Sequence, residues 1–300
     1  MVIAGPTASG KTTLSLELAE RLDAEVISAD SRQVFRGMDI GTAKVDAATR
    51  ARVPHHGLDL VDPDQAFSVA EFRRHALGAL GGIGSRGRVA ILVGGTGLYL
   101  RAVARGLPVD AAGHDPAIRA RLETRLTNEG LAPLVSELRA VAPRVASGID
   151  LANPRRVVRA LERAELQGDQ PPAPPEGYPG PVVWLGTTPD ASAHALAIER
   201  RAHDQFAGGL LDEAAALLEH YPEDLRAFGA MGYREAFDVL AGRATLDQAI
   251  ATDARRTRVY ARRQRTWFRS EPGIAWLAPG AERVGSAMRL VDTTLGRPHA

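Results

Sequence analysis

The chain opens on a short apolar run, Val2-Ile3-Ala4, that stops at a glycine and gives way to residues 12–22, where leucines at 14, 16, 18 and 22 sit in a helix-forming composition. The pattern predicts strand, glycine loop, helix. A second short strand is expected over Glu25-Val26-Ile27-Ser28-Ala29-Asp30, delivering Asp30 and Ser31 at its end. Val89-Ala90-Ile91-Leu92-Val93 is a continuous apolar run closed by Gly94-Gly95-Thr96-Gly97, as in a strand covered on both faces, and Val182-Val183-Trp184-Leu185-Gly186 is another. Strands separated by helical stretches imply an α/β fold with a parallel, doubly wound sheet, which binds ligands beyond the carboxyl ends of its strands.

Between the last two strands the periodicity changes. Residues 115–167 are helical throughout, with Ile118, Leu122, Leu126 and Leu131, then a stretch from Leu134, then Val157, Val158, Leu161 and Leu166. Residues 171–181, dense in proline, read as a stiff extended linker. The expected organisation is an α/β core over 1–110, an all-helical insertion with its linker over 111–181, and completion of the core over 182–300. Helices follow the 182–186 strand and end in an arginine-dense one over 253–270. The tail from Glu271 carries no legible motif.

Composition narrows the class. With 300 residues, 45% hydrophobic and 24% charged, the chain is neither disordered nor collagenous nor a coiled coil. The absence of cysteine removes disulfides, a thiol nucleophile and cysteine zinc sites. No run approaches 18 apolar residues and no signal peptide is apparent, so a cytoplasmic protein with no membrane partner is expected. Lys+Arg 37 against Asp+Glu 36 gives a net charge of +1, which alone argues against a strongly basic nucleic-acid binder. The charge is unevenly spread, however. Residues 255–269 hold seven arginines and no acid, so the rest of the chain carries −6. Such asymmetry is the footprint of a backbone-binding patch. Tyr260, Trp267 and Phe268 interleave it, the last two expected in the core. Only Lys11 and Lys44 are lysines among 37 basic residues.

Gly5-Pro6-Thr7-Ala8-Ser9-Gly10-Lys11-Thr12 fits the phosphate-binding loop G-x-x-x-x-G-K-[ST], placed between strand and helix as that motif requires. Its backbone N–H groups curl around a diphosphate, the helix N-terminus adds its dipole, Lys11 reaches a terminal phosphate, and Thr12 can ligate Mg2+. A nucleotide hydrolase would end a second strand in an acid that holds the metal. Here that strand ends in Gly94-Gly95-Thr96, and Asp30 is the nearest carboxylate, either a base or a helix N-cap. Gripping a diphosphate opposite a carboxylate suits group transfer better than ATP hydrolysis. His55 and His56 are adjacent and point apart, so they are read as structural rather than as a metal pair.

The motifs together resemble one family. They are Gly5 to Thr12, then Ser28-Ala29-Asp30-Ser31-Arg32-Gln33-Val34-Phe35-Arg36-Gly37-Met38-Asp39-Ile40-Gly41-Thr42-Ala43-Lys44, then Pro54-His55-His56 with Asp59, Gly94-Gly95-Thr96-Gly97-Leu98-Tyr99, and Gly232-Tyr233-Arg234. The chain is similar to the tRNA dimethylallyltransferases in their bacterial form, from residue 2 to about 270. The resemblance implies a P-loop NTPase-like fold with a helical tRNA-binding insertion. It also implies transfer of a dimethylallyl group from dimethylallyl diphosphate to the N6 amine of the adenosine 3′ of the anticodon, in tRNAs reading U-starting codons. The P-loop would hold the diphosphate leaving group, with Mg2+. Asp30 matches the family's general base, Thr96 its partner at the reacting centre, and Arg201 an arginine on the diphosphate.

Asp30, Ser31, Arg32 and Gln33, with Thr96, match tRNA-contacting positions, as do Arg119, Arg155, Arg156, Val157, Val158 and Arg159, and Gly229, Ala230, Met231, Gly232, Tyr233 and Arg234. The insertion's arginines either grip the anticodon stem or pair with Glu123, Glu137, Glu162 and Glu165. The tRNA anticodon stem-loop and dimethylallyl diphosphate are the implied partners, and a monomer is expected. Three alternatives stay open. They are a small-molecule kinase binding ATP on the same loop, a prenyltransferase acting on free adenine nucleotides, and a nucleotide-regulated RNA-binding protein without catalysis.

Overall fold

The computed structural model describes residues 1–109 and 114–296, which fall into two compact units: Met1–Gly106 with the chain from Gly177 onward, and Leu107–Glu176. The first unit starts with β1 (Val2–Ala4), α1 (Lys11–Leu22), β2 (Ala24–Ser28), α2 (Ala47–Arg52), β3 (His55–His56), α3 (Val69–Ser85), β4 (Val89–Gly94) and α4 (Gly97–Ala104). The strands make one six-stranded sheet, completed by two later strands, and every pairing is parallel.

The regular secondary structure of the second unit is all helical among its described residues: α5 (Pro116–Glu129), α6 (Leu131–Val141), α7 (Pro143–Ser147) and α8 (Pro154–Gln167). Two of these helices begin by the expected chemistry, with Asp115 and Asn153 accepting from backbone N–H groups ahead of a proline at the first helical position. Their apolar faces meet in a core of Leu122, Leu134, Leu138, Val157, Val158 and Leu161. The linker's end belongs with the first unit rather than the insertion, because the Tyr178 N–H donates to the Ala104 carbonyl (3.3 Å).

The first unit resumes with β5 (Trp184–Thr187), α9 (Ala191–Ala207), α10 (Leu210–Leu218), a 3-10 turn (Arg226–Gly229), α11 (Tyr233–Leu240), α12 (Leu246–Arg269), β6 (Ile274–Leu277) and α13 (Arg283–Leu295). The sheet order is β3-β2-β4-β1-β5-β6. Thus β1 is central, the chain fills one side of it first and the other side later, and its carboxyl end is the point where strand order reverses. Ligands of doubly wound sheets bind there.

Alternation along β1 sends Ile3 to one face, with Leu14 and Leu18 of α1, and Val2 and Ala4 to the other, with Phe72, Leu100 and Phe268. A third cluster, built on Phe228, Tyr233 and Phe237, holds α9 to α12 together. The arginine-dense helix starts seven residues earlier than expected, at a capping box in which Thr245 and Gln248 satisfy each other's backbone. The tail read as motif-free supplies both β6 and α13, which cover the sheet edge and α1.

The histidine pair is structural. His55 Nδ1 donates to the Val53 carbonyl (2.7 Å) and His56 Nε2 to the Glu25 carboxylate (2.7 Å). Among the described residues no group of three His, Asp or Glu side chains is arranged to hold a metal ion, and no helix is long and apolar enough to cross a membrane.

Candidate active site

The P-loop leaves β1 at Gly5, whose backbone (φ 157°) passes so close to β5 that a Cβ would lie 2.1 Å from Thr187 Oγ1. Only glycine fits. Side chains from three elements then fix the loop. The Ser9 and Thr187 hydroxyls share a hydrogen bond (2.6 Å), His194 Nε2 on α9 donates to the Thr7 carbonyl (2.8 Å), and the Thr7 N–H donates to Gln264 Oε1 on α12 (2.8 Å). Gly10, left-handed at φ 78°, precedes α1 without a side-chain cap. The first N–H groups of the helix are therefore left for an anion. Lys11 Nζ donates to the Pro6 carbonyl (2.5 Å). Burial pushes this ammonium down to about 7, Asp30 opposes the shift and Arg201 adds to it. Thr12 is exposed and its hydroxyl makes no hydrogen bond among the described residues.

Asp30 follows β2 at the same end of the sheet. Its Oδ1 accepts from the Arg32 N–H (2.8 Å), so it caps a turn rather than a helix, and Oδ2 has no partner among the described residues. Its negative charge is felt by Lys11, Arg201, Arg32, Tyr99 and Tyr260, which makes it the centre of the cluster. Thr96 Oγ1 accepts from the Ser31 N–H (3.1 Å), and the Thr96 N–H donates to the Ala29 carbonyl (3.3 Å), so the β4 loop clasps the segment that bears Asp30. Burial and Asp30 push the Tyr260 hydroxyl up to about 12, with Thr96 and Gln264 acting against the shift.

Arg201, on α9, has no ion pair within 4 Å among the described residues. Burial lowers its pKa, and Asp30 and Asp253 act against that shift through space. Behind it Asp253 is itself buried, pushed up to about 6 by desolvation and by Glu235, which is held by Arg256 (2.5 Å) and caps α11. Two cations and one carboxylate thus face the mouth of a P-loop with little mutual neutralisation. Such a site favours a ligand with more negative charge than Asp30 alone supplies.

Residues 33–271 match the family described as IPP transferase. The chain belongs to that family. It is 45% identical to the tRNA dimethylallyltransferase of Roseiflexus sp. (strain RS-1) over 286 residues, covering 94% of this chain and 93% of the relative. It is 43% identical to that of Geobacter metallireducens, covering 100% and 97%. The solved tRNA isopentenylpyrophosphate transferase of Bacillus halodurans aligns at TM-score 0.73 and 39% identity, over 98% of this chain and 96% of that one.

The other positions expected to touch tRNA divide sharply in this IPP transferase. Tyr233 is a core residue, fully buried, with its hydroxyl donating to Glu213 Oε1 (2.6 Å), and Ala230 is buried beside it. Val157 and Val158 lie in the helical unit's core. The side chains of these four pack the fold. Gln33 spends its amide inside the molecule, accepting from the Ser28 hydroxyl (2.6 Å) and donating to the Thr42 carbonyl (3.0 Å), while the Arg32 guanidinium donates to the Arg226 carbonyl (2.9 Å). Glu213 also accepts from the N–H groups of Asp39, Ile40 and Gly41, and Lys44, with its side chain 1% exposed, spans Asp39 (2.7 Å) and Asp59 (2.5 Å). The long motif after Asp30 is thus largely a scaffold for its loop. Ser31, Gly229 and Met231 are half-buried, Gly232 is buried at the start of α11, and Arg234 is exposed.

In the helical unit Arg155 and Arg156 are exposed, whereas Arg119 is committed to Glu123 (2.8 Å) and Glu162 (3.1 Å), and Arg159 to Glu162 (2.9 Å). Along α12 Arg255, Arg262, Arg263 and Arg269 are exposed without ion pairs among the described residues, but Arg258 pairs with Glu199 (2.7 Å) and Arg256 with buried Glu235. Sequence reasoning missed Gln264, His194 and Thr187, all of which shape the P-loop from distant parts of the chain.

Proposed function

We propose that this IPP transferase moves a dimethylallyl group from dimethylallyl diphosphate to the N6 amine of the adenosine 3′ of the anticodon, in tRNAs reading U-starting codons. The observation that supports the reading is that Asp30 lies close enough to Lys11 of the P-loop and to Arg201 for its charge to act on both. An adenine amine is a weak nucleophile because its lone pair is delocalised into the ring. A carboxylate oxygen without another partner accepts its proton as the N6–C1 bond forms and the C1–O bond to diphosphate breaks. The departing electron pair goes to the diphosphate, whose growing charge meets loop N–H groups, Lys11 and Arg201. Thr96 positions the Asp30 segment and borders the acceptor base. An unpaired anticodon-loop base costs only a few kcal/mol to extrude.

Mg2+ supplies charge neutralisation to the diphosphate when bound. The Thr12 hydroxyl, with no group of three His, Asp or Glu side chains arranged for a metal among the described residues, would help to hold such an ion at the diphosphate. Phosphates of the anticodon stem-loop are met by exposed arginines such as Arg155, Arg156, Arg234 and Arg255, and the protein works as a monomer. A kinase on the same loop would be expected to carry an acid after β4, where this chain has Gly95 and Thr96. The test is incubation with dimethylallyl diphosphate, Mg2+ and unmodified tRNA, followed by nucleoside analysis. N6-dimethylallyladenosine in tRNA is expected; its absence, with AMP or ATP modified instead, refutes the reading.

A further inference from the structure

We infer that Gln264 is a positioning residue that sets the separation between the diphosphate cradle and the base. The inference rests on the transfer reaction proposed above. Gln264 is buried in the C-terminal part of α12, close to the exposed Arg262 and Arg263, and its one amide reaches two loops that are far apart in sequence. Oε1 accepts from the Thr7 N–H in the P-loop (2.8 Å), and Nε2 donates to the Gly95 carbonyl at the end of β4 (2.9 Å). The orientation of the amide follows from its partners, because a donor on one side and an acceptor on the other admit only one arrangement.

From Gly95 the connection runs onward without a gap. Thr96 is the next residue, its Oγ1 accepts from the Ser31 N–H, and Ser31 adjoins Asp30. Tyr260, one helical turn before Gln264, lies close enough to Asp30, Thr96 and Gln264 for all three to act on its hydroxyl. One side chain therefore couples the loop that holds the leaving group to the segment that holds the base. The approach is tight: a Cβ on Gly95 would lie 2.1 Å from Gln264 Nε2. No other residue type reproduces the link. Glutamate keeps the Thr7 bond but turns a carboxylate against the Gly95 carbonyl, asparagine is one methylene short, and methionine fills the volume with neither bond.

The fold does not depend on this link alone, since the P-loop is also held by Ser9 with Thr187 and by His194 with Thr7. Loss of the amide should therefore misplace reacting groups rather than unfold the protein, and small misplacements cost large factors in rate.

The test is steady-state transfer to tRNA by wild type, Gln264→Met, Gln264→Glu, Gly95→Ala and the Gln264→Met/Gly95→Ala double variant, with thermal melting of each. We expect kcat to fall about 30- to 100-fold in each single variant. KM for tRNA should stay within about threefold, and the double variant should be no slower than the slower single. A Gln264→Met kcat within threefold of an active wild type, multiplicative losses in the double variant, or failure of both Gln264 variants to fold would overturn the assignment. A wild type inert towards dimethylallyl diphosphate and tRNA would instead overturn the reaction beneath it.

Discussion

Two charge clusters in this protein are built in opposite ways. In Leu107–Glu176 one group of arginines is matched to carboxylates: Arg121 with Glu165, Arg125 with Glu129 and Glu137, Arg119 with Glu123, and a fully buried Glu162 that gathers Arg119, Arg159 and His114. At the carboxyl end of β1 in the other unit, Lys11 and Arg201 are crowded into protein without an ion pair, and both have their pKa lowered for that reason. Neutralised charge steadies a fold. Charge held unneutralised is kept at a cost in desolvation, and that cost is recovered when an anionic ligand binds. The difference separates arginines that resemble ligand contacts from those that are structural, a distinction that sequence motifs alone do not make.

Four variants sharpen or break this contrast. Asp30→Asn should have the largest effect, lowering kcat about 10³-fold while tRNA affinity, measured by filter binding, stays within about threefold. Equal loss of both would place Asp30 in binding rather than proton transfer. Arg201→Ala should reduce kcat/KM for dimethylallyl diphosphate about 10²-fold and leave the melting temperature nearly unchanged.

In the matched unit the pattern reverses. Glu162→Gln removes the buried charge around which Arg119, Arg159 and His114 gather, and should destabilise its unit by roughly 3 kcal/mol, seen in calorimetric melting. Because those partners hold the Glu162 carboxyl below its ordinary value, its stabilisation is present above the unfolded value of 4.5 and is lost as pH falls through the lowered folded value. Stability of the Gln variant should accordingly converge on wild type in acid. The smallest effect is expected from Arg255→Ala with Arg262→Ala on the exposed face of α12. These should weaken tRNA binding several-fold and lower the salt slope by about one per arginine, with kcat intact.

Much of this was legible beforehand. Val2-Ile3-Ala4 before the P-loop and the apolar run before Gly94 marked the central strands, because strands buried on both faces leave unbroken apolar runs. The edge strand β6 escaped notice, being four residues long, half-exposed and flanked by glycine and proline. Asp30 and Lys11 could be paired in advance because both follow strands of one parallel sheet. Gln264 could not, since nothing local distinguishes a glutamine that bonds residues 257 and 169 positions away from one that faces water. Tyr233 shows the converse: it lies inside a family motif, yet its ring packs against Phe228 and its hydroxyl reaches Glu213. A motif records that a position matters, whereas exposure decides whether its side chain meets a ligand.

The central claim, that the uncompensated cations at the P-loop await a diphosphate, is tested most directly by calorimetric titration of inorganic diphosphate in buffers of differing ionisation enthalpy. The free Lys11 ammonium, held at about 7, is mostly neutral at pH 8, and a bound polyanion restores its proton. Relative to Lys11→Met, wild type should take up close to one proton per diphosphate at pH 8 and almost none at pH 6, with affinity falling as pH rises above about 7. Identical proton uptake and affinity in the two proteins would contradict the account.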